Sequence, residues 1–256
     1  MNFPITRIPP LESGDRLSRP EFERRYNAMP HVKKAELVEG VVYVASPLRF
    51  RSHGKPQGDL MGWLWTYKIM TPGVELGDNS TVRLDLDNEL QPDCVLLIDE
   101  RLGGRARISD DDYVEGAPEL VVEVAASSAA NDLHDKKKAY RRNGVQEYLV
   151  WQVLDNRLDW FCLQNGEYVQ LTANAEGVIK SQVFPGLWLA VLALLQGETT
   201  NVLSTLQQGL SSPEHKSFVQ QLTAQAKFDS LSFDVDSSST LNSLRSCVHK
   251  GLPKFK

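Results

Sequence analysis

Residues 120–125 read L-V-V-E-V-A, an apolar run interrupted by one carboxylate. A β-branched run without polar–apolar alternation suits a strand covered on both faces. The run also sets a chemical condition. An ionised carboxylate buried in such a strand is costly unless a cation or metal compensates it: in a central strand Glu123 needs a cation partner, whereas at a sheet edge it would point to water. Strand alternation places Glu123 on the face of Val121 and Ala125.

The neighbouring segments supply the rest of an α/β chain. Ser18 and Glu21 have capping-box spacing, with Pro20 in the first turn, and predict a short helix from Arg19 to Ala28. Residues 35–45 predict two short strands joined by a Glu39-Gly40 turn, with Glu36 inside a strand and Glu39 exposed. Leu60, Met61, Leu64 and Trp65 have helical spacing within 53–69, and Pro72-Gly73 ends that helix. Strands are expected at Val74–Leu76, Thr81–Leu86 and Cys94–Ile98, with 99–117 as a polar loop. Asn131 or Asp132 caps a helix running to Arg142 and closed by Asn143-Gly144. Strands at 146–154 and 158–163 follow, then a hairpin at Asn165-Gly166 and an apolar helix from Leu187 to Gln196. The expected organisation is an irregular lead-in at 1–17, one α/β domain over 18–200, a helical extension at 201–226, and a weakly ordered serine-rich tail at 227–256.

Composition bounds the function classes. With 28 Lys and Arg against 33 Asp and Glu, the net charge is −5, which argues against indiscriminate nucleic-acid binding over the whole surface but leaves room for a local basic cleft. Cys94, Cys162 and Cys247 lack metal-ligand spacing and suggest reduced thiols. The start, MNFPITRIPP, lacks a signal-type apolar core. The longest apolar run, Leu187 to Leu195, is nine residues, against the about 20 that span a bilayer. A cytoplasmic protein without membrane partners is expected.

Four polar residues stand where an unremarkable core would be apolar: Glu36 within a strand, Asp93 at the mouth of Cys94–Ile98, Glu123, and Lys136 on the following helix. Leu133 and Tyr140 anchor that helix, and positions 136 and 137 fall between them on the same face. Both are lysine. Snorkelling would explain them structurally, and a catalytic ammonium would explain them functionally. The whole run, with Lys136, Lys137, Lys138, Arg141 and Arg142, is either a solvated surface or a phosphate-contacting one. Carboxylates with a lysine suit metal-assisted phosphodiester hydrolysis, since Mg²⁺ takes oxygen ligands and needs only one or two carboxylates. Spacing alone does not separate this from a structural ion-pair cluster. The tryptophans Trp63, Trp65, Trp151, Trp160 and Trp188 read as packing residues.

The order E-L-V-E-G, a His53-containing helix, Q-P-D with an apolar strand, P-E-L-V-V-E-V, and D-L-H-D-K-K-K-A-Y-R-R-N-G-V-Q-E-Y resembles the putative restriction endonuclease family of the PD-(D/E)XK nuclease superfamily. The resemblance covers roughly residues 18–197, and Asp132, Lys136, Tyr140, Gly144, Val145, Glu147 and Tyr148 form its most specific piece. It implies a mixed central β-sheet flanked by helices, and Mg²⁺, with Mn²⁺ as substitute, at Asp93, Glu123 and the Val124 backbone carbonyl. Glu36 would be a further acidic member. Ala125 stands where the superfamily pattern places lysine, and the resemblance moves that role to Lys136. A serine-proline turn is also replaced by A-A-S-S-A at 125–129. His53 matches a histidine found at a helix start, either as a phosphate contact or proton carrier, or as a helix-start hydrogen bond. DNA is the implied substrate, and a homodimer would serve to cut both strands. The competing reading is a catalytically inactive nuclease-fold module that binds nucleic acid or protein.

Overall fold

The computed structural model describes residues 8–126 and 132–227. The tail beyond 227 and the Asn131 cap therefore lie outside the described residues. In chain order the elements are α1 (Arg19–Asn27), β1 (Ala35–Val38), β2 (Val41–Val44), a π-helical turn (Phe50–Gly54), α2 (Lys55–Ile69), β3 (Val74–Asp78), β4 (Val82–Arg83), β5 (Glu89–Leu90) and β6 (Cys94–Ile98). They continue with β7 (Ala106–Ile108), β8 (Val114–Gly116), β9 (Leu120–Ala125), a second π-helical turn (Asp132–Lys136), α3 (Lys137–Asn143), β10 (Glu147–Gln152), β11 (Arg157–Gln164) and β12 (Glu167–Gln170). Last come β13 (Val178–Lys180), β14 (Trp188–Ala190), α4 (Val191–Leu195), α5 (Thr199–Leu210) and α6 (213–227).

The central sheet runs β12-β11-β10-β9-β6-β3 and is mixed, since β9 and β10 pair in parallel while its other pairs are antiparallel. Alternation along β9 divides its side chains between two cores. Leu120, Val122 and Val124 join Leu60, Trp63, Leu64 and Tyr67 of α2, together with Val202 and Leu206 of α5 and Leu222 of α6. Val121 and Ala125 face the other way, into a cluster with Ala139 and Tyr140 of α3 and with Val38, Val82 and Leu90 of a second six-stranded sheet, ordered β2-β1-β5-β4-β8-β7. Helices thus cover both faces of the central sheet, as its two-sided apolar strands require. Trp63 meets Trp160 edge to face at 5.8 Å between ring centroids and donates from Nε1 to the Trp188 carbonyl at 3.0 Å. Truncating so buried an indole to alanine costs about 3–5 kcal/mol.

Several local expectations hold. The turn between β1 and β2 is Glu39-Gly40, both with positive φ, and Gly144 at φ 83 closes α3. Four others are corrected. Ser18 precedes α1 but makes no side-chain cap: the Glu21 N–H donates to the Ser18 backbone carbonyl at 3.1 Å, and the Glu21 carboxylate, the other arm of the box, is taken by Arg24 and Arg25, each at 2.7 Å. The strand expected over Thr81–Leu86 shortens to β4, since Leu84 and Asp85 turn back onto the Asn88 carbonyl. Segment 99–117 is no loop: it contains β7 and β8, which complete the second sheet. The helix expected over 187–196 opens instead as β14, which pairs with β13, so that only α4 is helical. Tertiary pairing overrides helix propensity there. Trp65 is also no packing residue, being 54% exposed.

Residues 8–17 are tied to the fold, with Leu11 buried and Arg16 bridged to Val41. In α5, a Cβ on Gly209 would lie 2.2 Å from the Gly186 carbonyl oxygen, so only glycine permits this approach.

A buried carboxylate and lysine cluster

Each carboxylate is placed by a different stretch of the sheet. Glu36 sits in β1 of the second sheet. Its Oε1 accepts the Gln91 N–H at 2.8 Å, leaving Oε2 to meet Lys136 Nζ at 3.0 Å. Glu123 lies mid-β9 on the face predicted for it, and its Oε1 accepts from Lys136 Nζ at 3.0 Å and from Tyr140 OH at 2.9 Å. Asp93 immediately precedes β6. The register Cys94↔Val122 brings it abreast of Glu123, and its Oδ2 accepts the Val124 N–H at 2.7 Å.

Asp132, Lys136 and Tyr140 recur every fourth residue and share one side of the π turn and α3. Lys136 Nζ also lies 3.4 Å from Asp132 Oδ1, and Tyr148 OH holds the Asp132 carbonyl at 2.9 Å. Glu36, Asp93, Glu123, Asp132 and Lys136 are all buried. The four residues singled out in the sequence are therefore brought together, and Asp132 and Tyr140, read in the sequence as a candidate helix cap and a helix anchor, join them. Lys34 joins as well, with Nζ 3.7 Å from Asp93 Oδ1. No sequence signal marks it, because that contact exists only in the folded chain.

The electrostatics are unbalanced. Burial raises the Glu123 pKa, and Asp132, Asp93 and Glu36 raise it further, against the pull of Lys136. Burial alone would discharge Lys136, yet Glu123, Glu36 and Asp132 hold its ammonium well above the usual lysine range. Burial opposes ionisation of Asp93, but the facing His53 imidazole, the Lys34 charge and the Val124 N–H hold it below the ordinary aspartate value.

His53 lies in the first π turn, with Nε2 3.3 Å from Asp93 Oδ1. Its side chain does not cap the helix start, and its buried Nδ1 makes no hydrogen bond among the described residues. Asp93 Oδ1 is likewise buried without a hydrogen bond of good geometry.

The basic run divides by residue. Lys136 is inside, and Lys137 Nζ lies over the Phe161 ring at 3.5 Å. Lys138 and Arg142 both pair with Glu39, at 2.9 and 2.6 Å, and Arg141 pairs with Glu167 at 2.9 Å. Glu39 is thus more than an exposed turn residue: it fastens the β1–β2 hairpin to α3.

A mixed sheet flanked by helices, with an aspartate and a glutamate abreast on adjacent central strands, defines a PD-(D/E)XK-like nuclease fold. Residues 19–192 match the Uma2 family, described as "Putative restriction endonuclease", and the chain belongs to that family. A putative nuclease belonging to DUF820 from Anabaena variabilis ATCC 29413 is similar in structure, with a TM-score of 0.48 and 11% identity, over 72% of this chain and 97% of that one. No curated protein matches. Among the described residues no helix is long and apolar enough to cross a membrane.

Proposed function

We propose that this protein hydrolyses DNA phosphodiester bonds with Mg²⁺, or Mn²⁺ in its place. The observation that carries the reading is the convergence of Glu36, Asp93, Glu123 and Lys136 from separate elements into one buried cluster. Among the described residues no three His, Cys, Asp or Glu side chains form a metal cage. A hard cation that keeps several waters needs no such cage. The donor set fits it: three carboxylates face one ammonium, and Asp93 Oδ1 is a buried acceptor without a hydrogen bond. Asp93, Glu123 and the Val124 carbonyl would hold the ion, which supplies charge against the phosphate and lowers the pKa of water.

The chain's own groups do the rest. Tyr140 fixes Glu123, and Glu36 with Asp132 fixes Lys136. A cation positioned in this way offsets charge that develops on the phosphate in the transition state. His53 sits beside Asp93, where it can contact phosphate or carry a proton. The same reading keeps the protein in the cytoplasm, and a homodimer would bring two such sites together.

A second reading, a nuclease-fold module that binds without cutting, draws support from the low exposure of Asp93, Glu123 and Lys136, at 2%, 3% and 4%. A cleavage assay on plasmid and single-stranded DNA, with and without Mn²⁺, separates the two. Hydrolysis that requires Mn²⁺ and disappears in Glu123→Gln is the expected result. DNA binding without cutting under any metal condition would assign the chain to the second reading.

A further inference from the structure

The cations of α3 are engaged within the chain, whereas Arg49 and Arg51, on the turn that carries His53, are not. Arg49, Phe50 and Arg51 are all exposed, and Phe50 keeps 75% of its surface in water. Among the described residues neither guanidinium has an ion pair. The segment is nevertheless fixed in place. The Arg49 carbonyl accepts the N–H groups of His53 at 3.0 Å and Gly54 at 3.2 Å, closing the π turn that carries His53 to Asp93. One turn of backbone thus links an exposed ring between two unpaired guanidiniums to the carboxylate cluster. Turns of this kind occur frequently at functional sites.

We propose that Arg49, Phe50 and Arg51 form a landing for a single-stranded stretch of nucleic acid, with one unstacked base on the Phe50 ring and adjoining phosphates on the two arginines. This rests on the phosphodiester reading above and names an unpaired strand as its substrate. The ring decides between strand types. A duplex keeps its bases stacked inside and presents phosphates, against which a phenyl group gains nothing, whereas an unpaired base stacks on any aromatic face. Recession of the site decides in the same direction. Asp93 and Glu123 are 2% and 3% exposed, and a flexible single strand can lower a phosphodiester toward them where a stiff duplex cannot.

The test is fluorescence anisotropy on the full-length chain in EDTA, where no turnover occurs, with a labelled oligothymidylate and a labelled duplex. Phe50→Ala should weaken single-strand binding about five-fold or more and leave duplex binding unchanged. Phe50→Trp should bind at least as well as wild type. The double variant Arg49→Ala/Arg51→Ala should reduce the slope of log affinity against log salt by about 1.4. Single-strand affinity unchanged by Phe50→Ala would overturn the proposal. So would no single-strand binding by wild type, or tighter duplex binding with the same Phe50 dependence. Cleavage is scored separately in Mn²⁺. Phe50-dependent binding without cutting defeats the hydrolysis reading alone, and cutting with Phe50-independent binding defeats the landing alone.

Discussion

Asp93 shows how a single side chain serves both fold and site. Its Oδ2 takes the Val124 N–H of the adjacent strand, while Oδ1 has no hydrogen bond and faces His53 and Lys34. Asp93→Asn and Glu123→Gln should each lower Mn²⁺ affinity, and unchanged binding in both by calorimetry would remove the metal site. Lys136 behaves in the opposite sense. Its removal leaves Glu36, Glu123 and Asp132 without their shared cation, at a cost of about 3–5 kcal/mol for an uncompensated buried charge. Lys136→Ala should therefore melt far below wild type in a thermal scan. Glu123→Gln relieves repulsion and should melt at or above it, while Lys138→Ala, whose partner Glu39 retains Arg142, should change neither melting nor single-turnover rate. At this scale the sequence was highly legible, because a charge in an apolar strand or on a buried helix face has few explanations. Lys34 was illegible, since no local pattern marks a contact made only on folding.

Among the elements, β5 carries a titrating group outside the site. Burial, then the neighbouring Glu23 carboxyl, push Glu89 from 4.5 to about 8, against the attraction of Arg83 and Arg19. The unfolded chain ionises this carboxyl near 4.5 and the folded chain only near 8. Between those values the unfolded state binds fewer protons, so stability is full below the lower value and falls as pH rises through the upper one. Glu89→Gln, which imitates the neutral form, should flatten that fall. Melting temperatures recorded across this range check it, and parallel curves for the two proteins would refute it. Elements with apolar runs, such as β6 and β9, were predicted at their observed limits. The short strands β7 and β8 were missed, because three residues apiece carry too little periodicity and their pairing across a sheet is non-local. The same holds for β14, whose apolar residues favour a helix until β13 is there to pair with them.

For the whole molecule, the last helices belong to the core. Leu222 of α6 is 3% exposed and packs with the α2 and β9 side chains, and His215 Nε2 lies 3.0 Å from Thr71 Oγ1. A chain ending at Gln225 should melt close to the full-length protein, whereas one ending at Leu210 should melt well below it. Equal melting of the two would show that α6 contributes nothing to the core. The pairing of the α3 cations has a further consequence, for the speed of encounter with a substrate. A protein of net charge −5 whose basic helix is partly offset by its own Glu39 and Glu167 projects a weakened positive field into solution. Approaching DNA is then captured by diffusion and short-range contact rather than steered from afar. Stopped-flow association should give a rate constant near the about 10⁵–10⁶ M⁻¹ s⁻¹ of unsteered partners, nearly flat against ionic strength. Glu39→Gln would release Lys138 and Arg142 into that field, so the variant should find its strand faster than the native chain does, most visibly in dilute salt.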